Sequence, residues 1–562
     1  MAALRRPAVL VLALLLASCA RQPARQEPPA SQVAKGESEA LMAGEMALRA
    51  GDCRGASENY MAAARVSSEV RIASRAAQVA LGCYQLQTAR EATSRWRELA
   101  PWNGDAALAA ALVALKRYDL KEARTALLAW RDSGSAGSQD PLQFAAAMSE
   151  ETDVTALYRV FADVLVGEDP TPEVMLAQAR LAFAAQNMRV ARQAARRAID
   201  LDATLTEARS LDLRAQSVLG EHDAAIAGAR QLAARNLSGD DAFLLADLLD
   251  AADRDADAAT ELQRLAAQPD TQFGAERRLI AMAMRDGNEE EVERRLGALL
   301  GDGGNTAFAV LYIAQLAERR GDNLRAIQSY GLLADSSLGL AARSAAARLM
   351  MKSGDRQNAL ALLDNYVMQN ADAALDVGAT RATLLAETGD LKAALEGLDA
   401  LSKEYPGHPD LEYTRATVLE AGGRTRDAVT QFERALKHRP EDPQLLNALG
   451  FTLADHKQNL SHAEQLIRAA ITVSPDSPAI QDSLGWVLYR RGRKAEALPI
   501  LARAWQNSSD TEIAAHYGEV LWANGEQGKA RYIWQQALTS NPSHQHLRET
   551  MARVTGEDAA PR

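Results

Sequence analysis

The chain has few aromatic residues and little proline in its first 400 positions. Aromatic residues make up only 5% of the 562 positions, although hydrophobic residues make up 47%. Small side chains, alanine above all, must therefore supply much of the core. Because alanine and leucine favour helices and allow close approach between them, this composition predicts tightly packed helices rather than sheets.

Concentrated positive charge is also absent. The formal net charge is −11, and lysine and arginine are spread along the chain without a basic tract. Nucleic-acid binding proteins carry such tracts, so this class is excluded. After the first residues, no apolar run reaches the length of about 20 residues that a membrane-spanning helix needs.

Patterns that would indicate an enzyme or a metal protein are missing as well. The sequence has neither HExxH nor GxSxG, and His456 and His462 lie six positions apart. The glycine-rich stretch GDGGN (301–305) lacks a phosphate-binding lysine and is interpreted as a hinge or loop. The acidic stretch GNEEEVERR (287–295) is typical of a solvated helix start. We therefore expect no enzyme activity, no metal and no cofactor.

The beginning of the chain has the features of a secretion signal. Arg5 and Arg6 precede a short apolar run, and this run ends in the stretch LLASCARQ (14–21). The residues before Cys19 resemble a bacterial lipobox, in which the signal is cut before a cysteine that then carries acyl chains. This resemblance implies a signal peptide over 1–18, lipidation at Cys19 and, since Ala20 follows, the periplasmic side of an outer membrane. An ordinary secreted protein with an incidental cysteine is the alternative.

Residues 19–36 form a stretch rich in proline, glutamine and alanine, without hydrophobic periodicity. Such composition predicts a flexible tether. Fully extended, it would reach about 50 Å from the anchor.

The rest of the chain repeats with a period of about 34 residues. Each unit has a glycine or its substitute, a small residue five positions later and a large apolar residue four positions after that. The steps between small residues are 33 to 35, except for one of 68, where a degenerate unit around Leu157 fits. The small residues are Ala56, Ala89, Ala123, Ala191, Ala225, Ala258, Val292, Ala326, Ala359, Ala394, Ala428, Ala463, Ala497 and Ala530.

This pattern resembles the tetratricopeptide repeat, a pair of antiparallel helices. The resemblance is sharpest at ALGFTL (448–453), SLGWVLYRRG (483–492) and HYGEVLWANG (516–525). It implies an all-α, right-handed superhelical solenoid of about fifteen helix pairs. We expect degenerate repeats over 37–306, more regular repeats over 307–545, and a capping helix with a tail over 546–562.

The repeat also places the two remaining cysteines. Cys53 begins the second helix of the first pair, and Cys83 ends the first helix of the next. These helices should be antiparallel neighbours with a turn near residue 68, so the two thiols should lie side by side. A disulfide and two separate small buried side chains both fit this arrangement.

Binding in a solenoid usually uses its concave inner face. In the tetratricopeptide pattern, positions 2, 5, 9 and 12 of the first helix face inward. Carried onto the regular repeats, this register selects a partner-binding surface with four aromatic rings, and internal packing of these rings is the alternative. The selected residues are Tyr413, Asn447, Phe451, Asp482, Trp486, Tyr489, Arg490, Glu519 and Trp522.

A long tetratricopeptide lipoprotein of this plan resembles the outer-membrane adaptors of periplasmic carboxy-terminal processing proteases. The resemblance implies a scaffold that binds the protease and brings it to substrates such as cell-wall hydrolases. Two other classes stay open. One is an assembly or piloting lipoprotein for an outer-membrane secretion or pilus machine, and the other is a scaffold for polysaccharide export or cell-wall synthesis.

Overall fold

A computed structural model describes residues 36–134, 140–167, 170–233, 239–300, 306–370, 373–542 and 544–556. The predicted signal peptide, Cys19, nearly all of the tether and the GDGGN stretch lie outside these residues. Within them the secondary structure is helical, with no β-strand. No helix in these ranges combines the length and the apolar character needed to cross a membrane.

The described residues form thirty-one α-helices joined by short turns, and one 3₁₀ helix, Gly239–Phe243, that precedes α13. Helices α1 to α16 are Glu37–Arg49, Cys53–Val66, Val70–Gly82, Leu86–Leu99, Gly104–Lys116, Leu120–Asp132, Pro141–Glu151, Val154–Leu165, Pro172–Ala184, Met188–Leu201, Thr206–Val218, His222–Ala233, Leu244–Asp250, Asp255–Ala266, Gln272–Arg285 and Glu289–Leu300. Helices α17 to α31 are Thr306–Arg319, Asn323–Gly331, Gly339–Lys352, Arg356–Gln369, Ala374–Glu387, Leu391–Glu404, Pro409–Ala421, Thr425–His438, Pro443–Asp455, Leu460–Val473, Pro478–Arg490, Lys494–Asn507, Thr511–Ala523, Gln527–Ser540 and Gln545–Thr555.

The helices fall into the pairs that the repeat predicts. Taken in order, α1 to α30 form fifteen pairs, and α31 follows them as a single helix. The predicted all-α stack of about fifteen helix pairs is therefore confirmed, including the degenerate unit around Leu157, which is the pair α7 and α8. Helix α31 begins at Gln545, one residue before the expected capping helix.

The small residue of each repeat lies where two helices approach most closely. All fourteen predicted positions, together with Leu157, lie on the second helix of their pair and have 0% exposed surface. On the first helix, Gly450, Gly485 and Gly518 provide the matching space. A Cβ at Gly485 would lie 2.5 Å from Leu501, and one at Gly518 would lie 2.0 Å from Trp534. These large side chains thus fill space inside their own pair.

The turn within every pair except α7 and α8 uses a residue in the left-handed conformation. Glycine occupies this position in most pairs, for example Gly423 with φ of 73° and Gly492 with φ of 80°. Other residues occupy it in several pairs, namely Tyr84, Tyr118, Gln186, Asp253 and Lys457. Since non-glycine residues adopt this conformation at a cost of roughly 1–2 kcal/mol, the packing of the two helices must impose it.

Two compact units can be distinguished. The first contains the described residues of Met1–Ala184 with Leu395–Arg415 and Lys437–Pro440, and the second contains Ala185–Ala394, Ala416–Leu436 and Glu441–Arg562. Each unit brings together segments that are far apart in sequence. In the first, Arg54 donates a hydrogen bond to the carbonyl oxygen of Lys403 at 2.8 Å. In the second, the backbone N–H of Asp476 donates to the carbonyl oxygen of Gln186 at 3.0 Å.

The first unit also contains a disulfide between Cys53 and Cys83. Cys53 is the first residue of α2, and Cys83 directly follows α3, so the turn between these helices places both residues at the same end. The two Cα atoms are 5.3 Å apart. This spacing is typical of disulfides.

Candidate functional site

A pocket of about 400 Å³ opens in the second unit between the first helices of three successive pairs and the last helix. Helix α25 with the turn after it, and helices α27, α29 and α31, each contribute side chains. The lining residues are Asp455, Lys457, Trp486, Arg490, His516, Glu519, His546, Thr550 and Arg553.

The floor of the pocket is the indole ring of Trp486, which is only 3% exposed. The imidazole ring of His516 stacks on the indole with ring centroids 4.3 Å apart. The guanidinium carbon of Arg490 lies 4.7 Å from the centroid of the same ring. The indole N–H donates to a carboxylate oxygen of Asp455 at 3.2 Å. Because these contacts hold the ring, Trp486 forms a fixed surface and is not an exposed anchor.

His516, which stacks on the Trp486 ring, forms a buried pair with Asp482. The Nδ1 atom of His516 lies 2.8 Å from a carboxylate oxygen of Asp482, and both residues are about 95% buried. Burial raises the pKa of the Asp482 carboxyl, while His516 opposes that shift. Burial disfavours the charged form of His516, but the Asp482 carboxylate outweighs it, so the pKa of His516 is raised. The other carboxylate oxygen of Asp482 has no hydrogen-bond partner among the described residues.

Helix α31 closes one side of the pocket through ion pairs with α29. The guanidinium of Arg553 lies 2.5 Å from one carboxylate oxygen of Glu519, and the other oxygen accepts a hydrogen bond from the Tyr489 hydroxyl at 3.3 Å. The imidazole of His546 pairs with Glu512, and this hydrogen bond raises the pKa of His546. The capping helix is thus part of the site.

The structure brings together five of the nine residues predicted to bind a partner. Asp482, Trp486, Tyr489, Arg490 and Glu519 lie in or against the pocket. The ring of Phe451 is close by, 5.7 Å from that of His516.

The other three predicted residues lie elsewhere. The ring of Trp522 stacks on that of the buried Trp534, a residue of α30, with ring centroids 5.9 Å apart. Asn447 is half-buried on α25 and does not line the pocket. Tyr413 is a residue of the first unit.

Six lining residues were not selected from the sequence, among them Asp455 at the end of α25 and Thr550 on α31. His516 lies between positions 5 and 9 of its first helix, which were expected to face inward, and in the two preceding pairs Ala448 and Ser483 occupy its place. His546 and Arg553 belong to α31, which follows the repeats. Lys457 lies in a turn. The one available signal was the change from alanine and serine to histidine at residue 516.

Comparison with known proteins identifies the repeats. Residues 391–543 match the family model described as Tetratricopeptide repeat. Tetratricopeptide repeats act as scaffolds for protein–protein interaction, and this is the class of function that the matched segment indicates.

One relative is TPR repeat-containing protein PA4667 of Pseudomonas aeruginosa. It is 30% identical over 250 residues, which are 44% of this chain and 42% of that protein. The match therefore spans less than half of the relative's length. Solved tetratricopeptide structures show only distant likeness. A protein from Parabacteroides merdae has a TM-score of 0.33 at 16% identity over 45% of this chain and 99% of its own, and yeast Tom70 has 0.33 at 12% over 92% and 95%.

The pocket is chemically suited to binding. Across the described ranges, no group of three or more histidine, cysteine, aspartate or glutamate side chains is placed to hold a metal ion. The pocket has paired charges and hydrogen-bond donors around a rigid aromatic floor. These features are typical of a recognition site.

The buried pair predicts a pH-dependent stability. The ordinary pKa of histidine is about 6.5. A histidine whose pKa is raised in the folded chain stabilises the fold fully below this pH, and the stabilisation is lost as the pH rises through the folded pKa. We expect the free energy of unfolding to fall over that interval. Asp482→Asn should weaken this fall, because His516 loses the carboxylate that favours its charged form. Denaturant melts at a series of pH values measure the effect.

A matched control is Asp364→Asn, which removes a carboxylate on α20 outside the pocket. It should leave the pH dependence unchanged. An Asp482→Asn profile that parallels the unmodified chain would show that this pair does not control the titration of His516.

Proposed function

We propose that this chain is a lipid-anchored scaffold of a Gram-negative envelope that binds a carboxy-terminal processing protease and brings it to substrates such as cell-wall hydrolases. The LLASCARQ stretch, with Cys19 at the expected lipidation position, supports the anchor. The resemblance to known protease adaptors supports the partner.

The observation that carries the proposal is the pocket of the C-terminal repeats. It lies on the first helices of three successive pairs, the helices that supply the inner face in tetratricopeptide repeats. Its volume of about 400 Å³ matches the size of a site for part of a partner chain more closely than that for a whole domain. A scaffold that recognises a segment of a partner requires such a site.

The disulfide supports the compartment. Cys53 and Cys83 are joined in the first unit, and disulfides persist in the periplasm but not in the reducing cytosol. The predicted tether between Cys19 and α1 also supports the proposal, because it would let the repeats meet soluble periplasmic proteins away from the lipid surface.

The mechanism would be proximity. A scaffold that holds a protease and a hydrolase at the same time converts their encounter into an intramolecular event. The effective concentration can then reach the millimolar range when the geometry permits both to bind. Under this proposal, the scaffold needs no catalytic residues of its own.

The proposal is tested by affinity capture from solubilised envelopes of cells that express the tagged full chain. We expect a processing protease and a cell-wall hydrolase to be recovered together and identified by mass spectrometry. Arg553→Gln should reduce the recovery several-fold, because it removes an ion pair at the pocket from a side chain that is 59% exposed. In the same cells, Cys19→Ser should move the chain out of the membrane fraction.

The matched control is Lys529→Gln. Lys529 lies on α30, outside the pocket, and the change breaks its exposed ion pair with Glu526. It should leave the recovery unchanged. Recovery of secretin, pilus or polysaccharide-export subunits without a protease would instead assign the chain to the assembly factors. Equal loss with both variants would show that the pocket does not bind the partner.

A further inference from the structure

The disulfide of the first unit joins the turns of the first two helix pairs. Cys53 directly follows the turn between α1 and α2, and Cys83 is the first residue of the turn between α3 and α4. A hydrogen-bond donor stands close to each cysteine, Arg54 next to the first and Gln85 two residues after the second. The covalent bond therefore limits how far these two donors can separate.

Both donors bind the same distant helix end. The guanidinium of Arg54 donates to the carbonyl oxygen of Lys403, and the amide nitrogen of Gln85 donates to that of Glu404, each at 2.8 Å. Lys403 and Glu404 are the last two residues of α22, where backbone carbonyls have no partner within their own helix. All four residues belong to the first unit. Arg54 and Gln85 thus form a two-point cap on α22, 349 and 319 positions away along the chain.

The backbone at Tyr84 makes this cap depend on the disulfide. Tyr84 lies between Cys83 and Gln85 and is left-handed, with φ of 53°, a conformation that non-glycine residues disfavour. Tyr118 adopts the same conformation in the next pair, but it is only 5% exposed, whereas Tyr84 is 38% exposed. Burial therefore holds the turn less firmly at Tyr84. Strained backbone persists only where its surroundings impose it, and here the bond at Cys83 adds to that constraint.

The cap on α22 is also of a kind that can separate. The side chain of Arg54 is 44% exposed and shares its charge with Glu58, 2.9 Å away. Water can replace a hydrogen bond of this type, so the net free energy that holds it is small. The contact can open while the helices on both sides stay folded.

We propose that the Cys53–Cys83 disulfide controls a redox-sensitive latch, which consists of Arg54, Gln85 and the end of α22 that they cap. In the oxidised chain the latch is closed, and a dithiol reductant opens it. The inference goes beyond the scaffold function and holds whichever partner the repeats bind. In an oxidising compartment the latch stays closed until such a reductant reaches it.

The reduction is an ordinary thiol–disulfide exchange. A thiolate of the reductant attacks the sulfur of Cys53, which is half-buried, whereas Cys83 is only 5% exposed. A mixed disulfide forms at Cys53, and the sulfur of Cys83 leaves as a thiolate and takes a proton from water. The second thiol of the reductant then attacks the reductant's own sulfur in the mixed disulfide and releases Cys53 as a thiol. Two electrons pass from the dithiol, which leaves as a disulfide, to the chain.

Reduction opens the latch through the turn. Once Cys83 is released, Tyr84 can return to an ordinary backbone conformation, and the amide of Gln85 then leaves its place opposite Glu404. The last turn of α22 loses one of its two caps and the fixed spacing of the other. Helix ends without caps fray, so the amides of this turn should exchange faster with solvent.

The test uses the full chain with Cys19→Ser, in which Cys53 and Cys83 are the only cysteines. Hydrogen–deuterium exchange is followed by mass spectrometry with and without dithiothreitol, a dithiol. We expect exchange at 400–408 to be about tenfold faster in the reduced chain. Exchange at 116–119, the turn that contains Tyr118, should not change.

Three variants separate the latch from a general effect of reduction. Arg54→Ala combined with Gln85→Ala should give fast exchange in the oxidised chain, and reduction should then add nothing, because both changes act on one contact. Gln87→Ala is the matched control, since this exposed amide of α4 accepts a hydrogen bond from Arg117 and does not cap α22. It should leave the response to dithiothreitol intact. Tyr84→Gly should keep exchange slow after reduction, because glycine adopts the left-handed conformation without help.

Equal exchange at 400–408 in the oxidised and reduced chains would overturn the inference. The same holds if reduction still accelerates exchange tenfold in the variant without Arg54 and Gln85, or if reduced Tyr84→Gly exchanges as fast as the unmodified reduced chain. Faster exchange throughout 36–134 would also overturn it, because the disulfide would then support the fold of the first repeats and not their contact with α22.

Discussion

Replacing Gly518 with alanine will destabilise the C-terminal repeats through a packing cost of about 1–3 kcal/mol, the usual cost of overpacking a core. Gly518 lies on α29, where a Cβ would be 2.0 Å from the indole nitrogen of Trp534 and 2.4 Å from its Cε2 atom. Trp534 is fully buried between α30 and its neighbours and cannot turn away. The two helices must therefore separate, or the indole must leave its rotamer.

The opposing effect is small by comparison. Alanine is favoured over glycine within a helix by roughly 0.5–1 kcal/mol, so the measured loss is the packing cost reduced by that amount. The measurement is guanidinium denaturation followed by far-UV circular dichroism.

Gly528→Ala is the matched control one helix later. Nothing lies within 4 Å of a Cβ built at Gly528, so only the helix preference acts and the stability should rise slightly. If Gly518→Ala and Gly528→Ala shift the transition equally, α29 and α30 do not approach as closely as the structure shows.

The stack of helix pairs could be predicted because every pair brings its two helices into the same close contact. A small residue is needed wherever two helices touch, and the period of about 34 residues marks each such contact. Leu157 shows the strength of this rule. It fills the contact with a larger side chain, yet its pair keeps its place in the series and Leu157 is fully buried.

The turns show where local sequence preference gives way to packing. Tyr84 and Tyr118 are poor left-handed residues, yet they adopt φ of 53° and 57° because the helices on both sides fix the turn. Both tyrosines lie five residues before the small residue of their repeat, at the place that glycine takes in most pairs, so glycine content alone does not mark these turns.

The pocket could be predicted only in part, because it depends on contacts that the repeat does not encode. The register placed Trp486 and Glu519 on the shared face, since both belong to first helices. His546 and Arg553 come from α31, whose position follows from its own contacts and not from the period. Nothing in the sequence near Trp522 shows that its ring turns towards Trp534.

The second large effect is expected from Asp476→Ala, which removes a helix cap supplied by a distant segment. Asp476 is 3% exposed. One carboxylate oxygen accepts a hydrogen bond from the backbone N–H of Met188 at 2.9 Å, at the start of α10 and 288 positions away. The other accepts from Arg503 at 2.6 Å. The carboxylate thus satisfies a free N–H at a helix start and lies at the positive end of the helix dipole.

Hydrogen bonds to charged groups contribute about 1.5–3 kcal/mol each, and removing Asp476 also leaves the buried N–H of Met188 without a partner. We expect a loss of about 3 kcal/mol in the second unit. Hydrogen–deuterium exchange should show faster exchange at 186–190 as well as near residue 476, because the bond joins both segments. Asp476→Asn keeps an oxygen acceptor without the charge and should give an intermediate loss.

Asp510→Ala is the control that separates a distant cap from a local one. Asp510 caps α29, the first helix of the next pair, and its carboxylate accepts from the N–H of Glu512, two residues away, at 2.8 Å. Its removal should cost about 1 kcal/mol and leave exchange at 186–190 unchanged. Both aspartates lie just before the first helix of a pair, with Ser477 between Asp476 and α27, and only the folded chain shows that Asp476 caps a distant helix. If the two variants give the same exchange pattern, the contact between Asp476 and Met188 does not hold these segments together.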